Sequence, residues 1–173
     1  MTYRKALKGW PSVILAMALL LVAVSAAACS NPNAAQEGDT VKVEYTGTLS
    51  DGTVFDSTVN ESFGHPDPLE FTIGAGQMIP GFDRAVIGMD VGDTKTVTIK
   101  AKDAYGEKYF EVPLSDLPDD LMEGEELYNQ ADGTVAIVFN ISGDTATLES
   151  TNELAGEDLT FEITLVSRIP AES

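Results

Sequence analysis

Apolar and polar positions first fall into step at Thr40. Val41, Val43 and Tyr45 alternate with Lys42 and Glu44, the period of a strand with one buried face. Asp51-Gly52 is a hairpin turn signal, and Val54 and Phe55 begin the return. Residues 60–67 read as a loop; Leu69, Phe71 and Ile73 then alternate until GAGQMIPG breaks the pattern. Over residues 81–87 the spacing changes to three and four. Phe82, Val86 and Met89 would share one face of a short helix, with Pro80 at its start and Gly88 just past its end. A turn at residues 91–93 leads into TKTVTIK, where Val97 and Ile99 would face inward. A second hairpin is predicted from residues 134–141 and 145–149 around Ser142-Gly143-Asp144. Leu159, Phe161, Ile163 and Leu165 give a last alternating strand. The pattern predicts a strand-rich α+β fold with one short helix, interrupted by a smaller unit whose acidic residues crowd positions 115–126.

Before the first strand the composition is of another kind. Arg4, Lys5 and Lys8 precede an uncharged apolar run over residues 13–24, and Ser25-Ala26-Ala27-Ala28 supplies small residues before Cys29. Residues 1–28 therefore read as an export signal. Small residues directly before a lone Cys resemble a bacterial lipobox, which implies acylation of the Cys29 sulfur and cleavage just before it. The alternatives are a plain signal with an incidental Cys, or an uncut membrane anchor, although the apolar run falls short of the roughly 20 residues a spanning helix needs. The expected location is the cell envelope, lipid-anchored on the extracytoplasmic side. Residues 29–37 are expected to form a spacer, whose eight residues after Cys29 could extend roughly 27 Å.

A single cysteine excludes an internal disulfide, so the fold rests on its core. Removal of the leader leaves 145 residues, enough for one domain with a modest insertion. The net charge is −18; the leader holds three of the ten basic residues and no acidic one, which takes the remainder to −21. Nucleic acid is excluded as a partner, because its phosphates require clustered Lys and Arg. The same charge opposes lying flat on an anionic membrane.

Residue chemistry removes further classes. His65 is the only histidine and is expected in an exposed loop, so no zinc or copper ligand set can be assembled. SDLPDDLMEGEE lacks the spacing of a calcium loop and reads as solvated carboxylates. There is no G-x-S-x-G. GAGQMIPG lacks the Lys-Ser/Thr of a phosphate loop. No metal and no cofactor is expected.

Aromatic and aliphatic side chains around turns remain. VEYTGTLSDGTVFDS, GAGQMIPGFDRAVIGMDVGDTKTVTI, DAYGE and LAGEDLTFEITLV occur in that order. Together they resemble an FKBP-type peptidyl-prolyl cis/trans isomerase over residues 38–169. The interruption after DAYG is similar to the SlyD-like branch, in which a small chaperone unit, the insert-in-flap domain, replaces the flap loop. The resemblance implies an antiparallel sheet wrapped around a short helix, with the isomerase domain at residues 38–106 and 152–170 and a mostly β insert at 107–151. TNELAG departs from the NHPLAG frequent in that branch, at the segment that joins the insert back to the body.

Carried over by motif, the proline pocket would use Tyr45, Phe55, Asp56, Ile79, Phe82, Tyr105 and Phe161, with Leu69 and Met78 as substrate contacts. Phe55, Ile79, Phe82 and Phe161 would enclose a proline ring, Tyr105 would offer a hydroxyl to a peptide carbonyl, and Asp56 would hold Tyr45 or orient the substrate backbone. Tyr45 and Phe161 are equally good core residues. Expected partners are unfolded or proline-containing polypeptides, and the membrane through Cys29; a monomer is expected. Leu114, Leu117, Leu121, Met122, Leu127, Tyr128, Val135, Ile137 and Phe139 supply the insert with more apolar surface than a loop needs. A rival reading is a proline-binding module or chaperone that turns nothing over.

Overall fold

The computed structural model describes residues 31, 33–64, 67–129 and 133–172. The leader, Cys29 and His65 lie outside them. Nine strands and one α-helix occur among the described residues: β1 (Thr40–Thr48), β2 (Val54–Ser57), β3 (Leu69–Thr72), α1 (Pro80–Val86), β4 (Thr94–Ile99), β5 (Tyr109–Pro113), β6 (Glu126–Tyr128), β7 (Val135–Ser142), β8 (Thr145–Ser150) and β9 (Leu159–Ile169). Short 3-10 turns fall at Glu61–Phe63, Ala101–Asp103 and Leu114–Asp116.

Five strands form the first sheet, in the order β2-β1-β9-β4, all antiparallel. β3 pairs with the opening half of β1, from Thr40↔Thr72 to Val43↔Leu69, while β2 pairs with its closing half. Alternation decides the inward face. Val41 and Val43 of β1 meet Leu159, Phe161, Ile163 and Leu165 of β9, all buried. Against that face lies α1, presenting Phe82 and Val86, with Met89 just beyond it. Gly81 is required by close approach: a Cβ there would run into Ile99 of β4. Lys95 Nζ donates to Ala85 O at 2.9 Å, which satisfies a carbonyl at the C-terminal end of the helix.

Between β4 and β9 the chain builds a second antiparallel sheet, in the order β5-β8-β7-β6. It has its own small core of Ala136, Val138, Ala146 and Leu148, against which Leu114, Leu117, Leu121 and Leu127 pack. Met122, Tyr128 and Phe139 stay exposed. The two chain segments that lead in and out run side by side, Gly156 N donating to Gly106 O at 2.8 Å.

The spacer expected over residues 29–37 is corrected from Asn31 onward, because that segment is docked. Ala34 and Ala35 are buried. Ala35 N donates to Met89 O at 2.9 Å and Gly88 N to Ala35 O at 2.8 Å. Two small apolar side chains and a complementary backbone edge help to hold it on the body. β5 and β6 have no counterpart in the periodicity. YFEVP mixes apolar and acidic residues out of step, and β6 is only three residues long.

Candidate functional site

The opening hairpin sets the site's geometry. Gly47 of β1 lies opposite Asp56 of β2 on one side and Phe161 of β9 on the other. The next pair of the β1–β2 ladder is Thr48↔Val54, so Phe55 is an extra residue at a bulge. Neighbours in a regular strand point to opposite faces; the bulge re-aims one of them. Phe55 and Asp56 thereby line the same cavity. Gly47 makes room for them, since a Cβ there would stand 2.6 Å from Phe55 Cζ and 3.0 Å from Phe161 Cε1.

That cavity has a volume of about 330 Å³ and opens beside the N-terminal end of α1. The structure brings all nine pocket residues of the sequence reading together around it: Tyr45, Phe55, Asp56, Leu69, Met78, Ile79, Phe82, Tyr105 and Phe161. Phe82 and Phe161 form a buried floor, their rings 5.2 Å apart and nearly perpendicular. Tyr45 stands edge-on to Phe82 at 5.5 Å, and Phe55 edge-on to Phe161 at 5.6 Å. Phe71 supports the floor from behind, 5.8 Å from Phe82. Tyr105 is exposed at the rim. Edge-to-face packing lets each ring fix the next, so the walls hold their shape without a ligand.

Polar groups are confined to the edge. Tyr45 donates its hydroxyl to Asp56 Oδ2 at 2.5 Å, and Ser57 N donates to Asp56 Oδ1 at 2.8 Å. The carboxylate is thus held from two sides. Burial, then the bond to and charge of Asp56, push the Tyr45 phenol well above its usual pKa. Tyr105 is raised by burial first and by the charge of Asp56 second. Both remain neutral hydrogen-bond donors at physiological pH.

Three residues escaped the sequence reading. Gly76 and Gln77 also line the cavity, and Gln77 Oε1 accepts from Thr72 N at 2.8 Å, pinning its loop to β3. Gly47 carries no side chain to signal its part; only the strand register reveals it. A second cavity of about 500 Å³ lies in the other sheet, walled by Phe110, Leu117, Pro118, Leu127, Tyr128 and Leu148, with Asp116 and Asn129 at its edge.

The arrangement can enclose a small apolar ring and offer one hydroxyl and one fixed carboxylate to a passing backbone. Its lining residues supply no thiol, serine or imidazole for covalent work. Comparison with known proteins identifies the family. Residues 31–166 match the family described as FKBP-type peptidyl-prolyl cis-trans isomerase. The chain is 37% identical over 155 residues to a short-type peptidyl-prolyl cis-trans isomerase of Methanocaldococcus jannaschii, covering 82% of this chain and 98% of the relative. It is 47% identical over 74 residues to FK506-binding protein 2 of Yarrowia lipolytica, covering 43% of this chain and 49% of that protein. It is 50% identical over 74 residues to the peptidyl-prolyl cis-trans isomerase FKBP15-2 of Arabidopsis thaliana, covering 43% of each. A five-stranded sheet closed over one short helix, an aromatic cavity at the helix's N-terminal end and these matches place the chain in the FKBP-type peptidyl-prolyl cis-trans isomerase family.

Proposed function

We propose that the chain accelerates rotation about X-Pro bonds of exported proteins by holding the twisted amide in the aromatic cavity. An amide resists rotation with a barrier of about 18–20 kcal/mol, because resonance stiffens the C–N bond. Uncatalysed prolyl exchange takes tens to hundreds of seconds. Rotation breaks no covalent bond, so no nucleophile is required. At the twisted geometry the C–N bond loses double-bond character and the carbonyl oxygen loses negative charge. An apolar enclosure then favours the twisted amide over the planar one, which is differential binding of the transition state. Each 1.36 kcal/mol of that difference gives about tenfold in rate.

In this reading Phe55, Ile79, Phe82 and Phe161 enclose the ring, and Leu69 and Met78 flank it. Tyr105 donates to a peptide carbonyl at the rim. Asp56, held by Tyr45, orients the substrate backbone and transfers no proton. The observation that carries the proposal is the separation of apolar floor from polar rim: Phe82 and Phe161 are 3% and 5% exposed, Tyr105 42%.

The second sheet acts in this reading as the insert-in-flap unit of a SlyD-like isomerase and as a holder of unfolded chain. Its separate cavity and its exposed Met122, Tyr128 and Phe139 support that role. Client held there is concentrated beside the proline cavity. Acylation of Cys29 ties the monomer to the extracytoplasmic face of the membrane. The test is refolding of a proline-limited protein at catalytic amounts of this chain, beside exchange in short X-Pro peptides. Acceleration of both is expected; acceleration of neither leaves only a binding role.

A further inference from the structure

The first described residue is clamped. Asn31 Nδ2 lies 2.7 and 2.9 Å from the two carboxylate oxygens of Asp90. With the Ala35 bonds to Gly88 and Met89, this fixes the N-terminal segment on residues 87–93, the turn between α1 and β4. That turn shows apolar side chains outward: Ile87 is 43% exposed and Val91 is 56% exposed. Its carboxylates are engaged within the fold, Asp90 by Asn31 and Asp93 Oδ2 by Asp90 N at 2.9 Å. Cys29 stands only two residues before Asn31, about 7 Å of extended chain. An anchor at Cys29 therefore leaves the body almost no slack.

We propose that the α1–β4 turn is a membrane-contact surface, seated through Ile87 and Val91 on the interface of an electrically neutral bilayer. The proposal rests on the Cys29 anchor. The acyl chains supply the binding strength; the two aliphatic side chains fix the orientation. Helix α1 links that surface to the proline cavity. Its C-terminal end enters the turn, Ile79 and Phe82 at the other end line the proline cavity, and Ile87 borders a shallow depression shared with Gly76 and Met78 of that cavity. A net charge of −21 beyond the leader makes anionic lipid a poorer partner than neutral lipid.

The only tryptophan, Trp10, lies in the leader, so an introduced one reports alone in the processed protein. The acylated full-length product is reconstituted in phosphatidylcholine vesicles, with and without brominated acyl chains. In Val91→Trp, bromine is expected to quench the emission at least twofold, whereas Phe139→Trp in the second sheet is unaffected. Ile87→Trp serves in the same way if the first variant misfolds. Eight Gly/Ser residues inserted between Ser30 and Asn31 should abolish the quenching while vesicle flotation persists. Flotation without quenching of either reporter overturns the contact surface and leaves the anchor standing. Equal quenching of Val91→Trp and Phe139→Trp overturns the orientation. Failure to float overturns the anchor and the contact surface together.

Discussion

Tyr45 and Asp56 face each other across the first hairpin, phenol to carboxylate at 2.5 Å, and that bond aims the one charged group bordering the aromatic cavity. Tyr45→Phe keeps the ring that abuts Phe82 and removes the donor. Its kcat/KM for an X-Pro peptide is expected to fall about threefold to tenfold, or roughly 0.7–1.4 kcal/mol of transition-state stabilisation. Peptide exchange measured by NMR checks this, and an unchanged value would mean that Asp56 needs no aiming.

Rotation without proton transfer implies a flat pH profile. Burial and the nearby Asp56 raise the phenols of Tyr45 and Tyr105 above the usual value near 10, so neither ionises between pH 6 and pH 9. The peptide exchange rate is expected to be constant over that window. A raised folded-state pKa contributes stability that is fully present below the unfolded value near 10 and is lost as pH rises past it. Alkaline unfolding should therefore begin only above about pH 10. A step in kcat between pH 6 and pH 9 would assign a titrating group to the chemistry.

Gly47 makes the sharpest test of the cavity's shape. An added methyl at this position meets both Phe55 and Phe161 at 2.6–3.0 Å. Gly47→Ala is expected to cost about 1–3 kcal/mol of stability through overpacking. Activity should fall further than stability explains, at least tenfold at a temperature where the variant remains folded. Circular dichroism and peptide exchange on the same sample separate the two effects.

How much of this was legible follows from which residues announce themselves. Val41, Val43, Phe71 and Leu159 to Leu165 alternate because one face of their sheet is buried, so the strands and the core could be read directly. Proline and glycine bracket α1 because of their own backbone limits, and the helix ends within a residue of expectation. The pocket residues were named through resemblance rather than periodicity. Periodicity alone would send Phe55 and Asp56 to opposite faces, and only the bulge reconciles them. The docked segment at Ala34 and Ala35 was illegible, since two alanines among polar residues give no period. β5 and β6 carry mixed side chains on a small sheet with a small core, and their pattern is correspondingly weak.

The two sheets have separate cores, with no buried residue in common. Deletion of residues 107–151 removes the second core entire and joins segments that already run side by side at Gly106 and Gly156. Short-peptide isomerisation is expected to stay within about threefold of the intact chain, a change of roughly 0.7 kcal/mol. Acceleration of proline-limited protein refolding should drop at least tenfold. Equal refolding activity without the segment would remove the client-holding role and leave the isomerase intact.

Asp39 and Arg168 form a largely buried ion pair. Asp39 Oδ2 accepts from Arg168 Nε at 2.5 Å and from Gln36 N at 2.8 Å, and Oδ1 accepts from Ala171 N at 3.0 Å. Its backbone carbonyl accepts from Ile73 N at 2.9 Å, so one residue joins the docked N-terminal segment, the end of β3 and the far end of β9. Burial alone would raise the Asp39 pKa, but the guanidinium and the two N–H donors outweigh it, and the carboxyl is held below its ordinary value. A depressed carboxyl pKa gives stability that is present above the unfolded value, about 4, and lost as pH falls through the lower folded one. Asp39→Asn leaves Arg168 facing an amide and is expected to cost about 3–5 kcal/mol at pH 7, the usual penalty for breaking a buried pair. Thermal unfolding should show a deficit of about 10 °C at pH 7, at roughly 2–4 °C per kcal/mol. As pH falls through the lowered folded-state value the intact protein loses the same charge, so the deficit should shrink. A gap that stayed constant down to the acid limit of the folded state would locate the contribution of Asp39 in its shape and not in its charge.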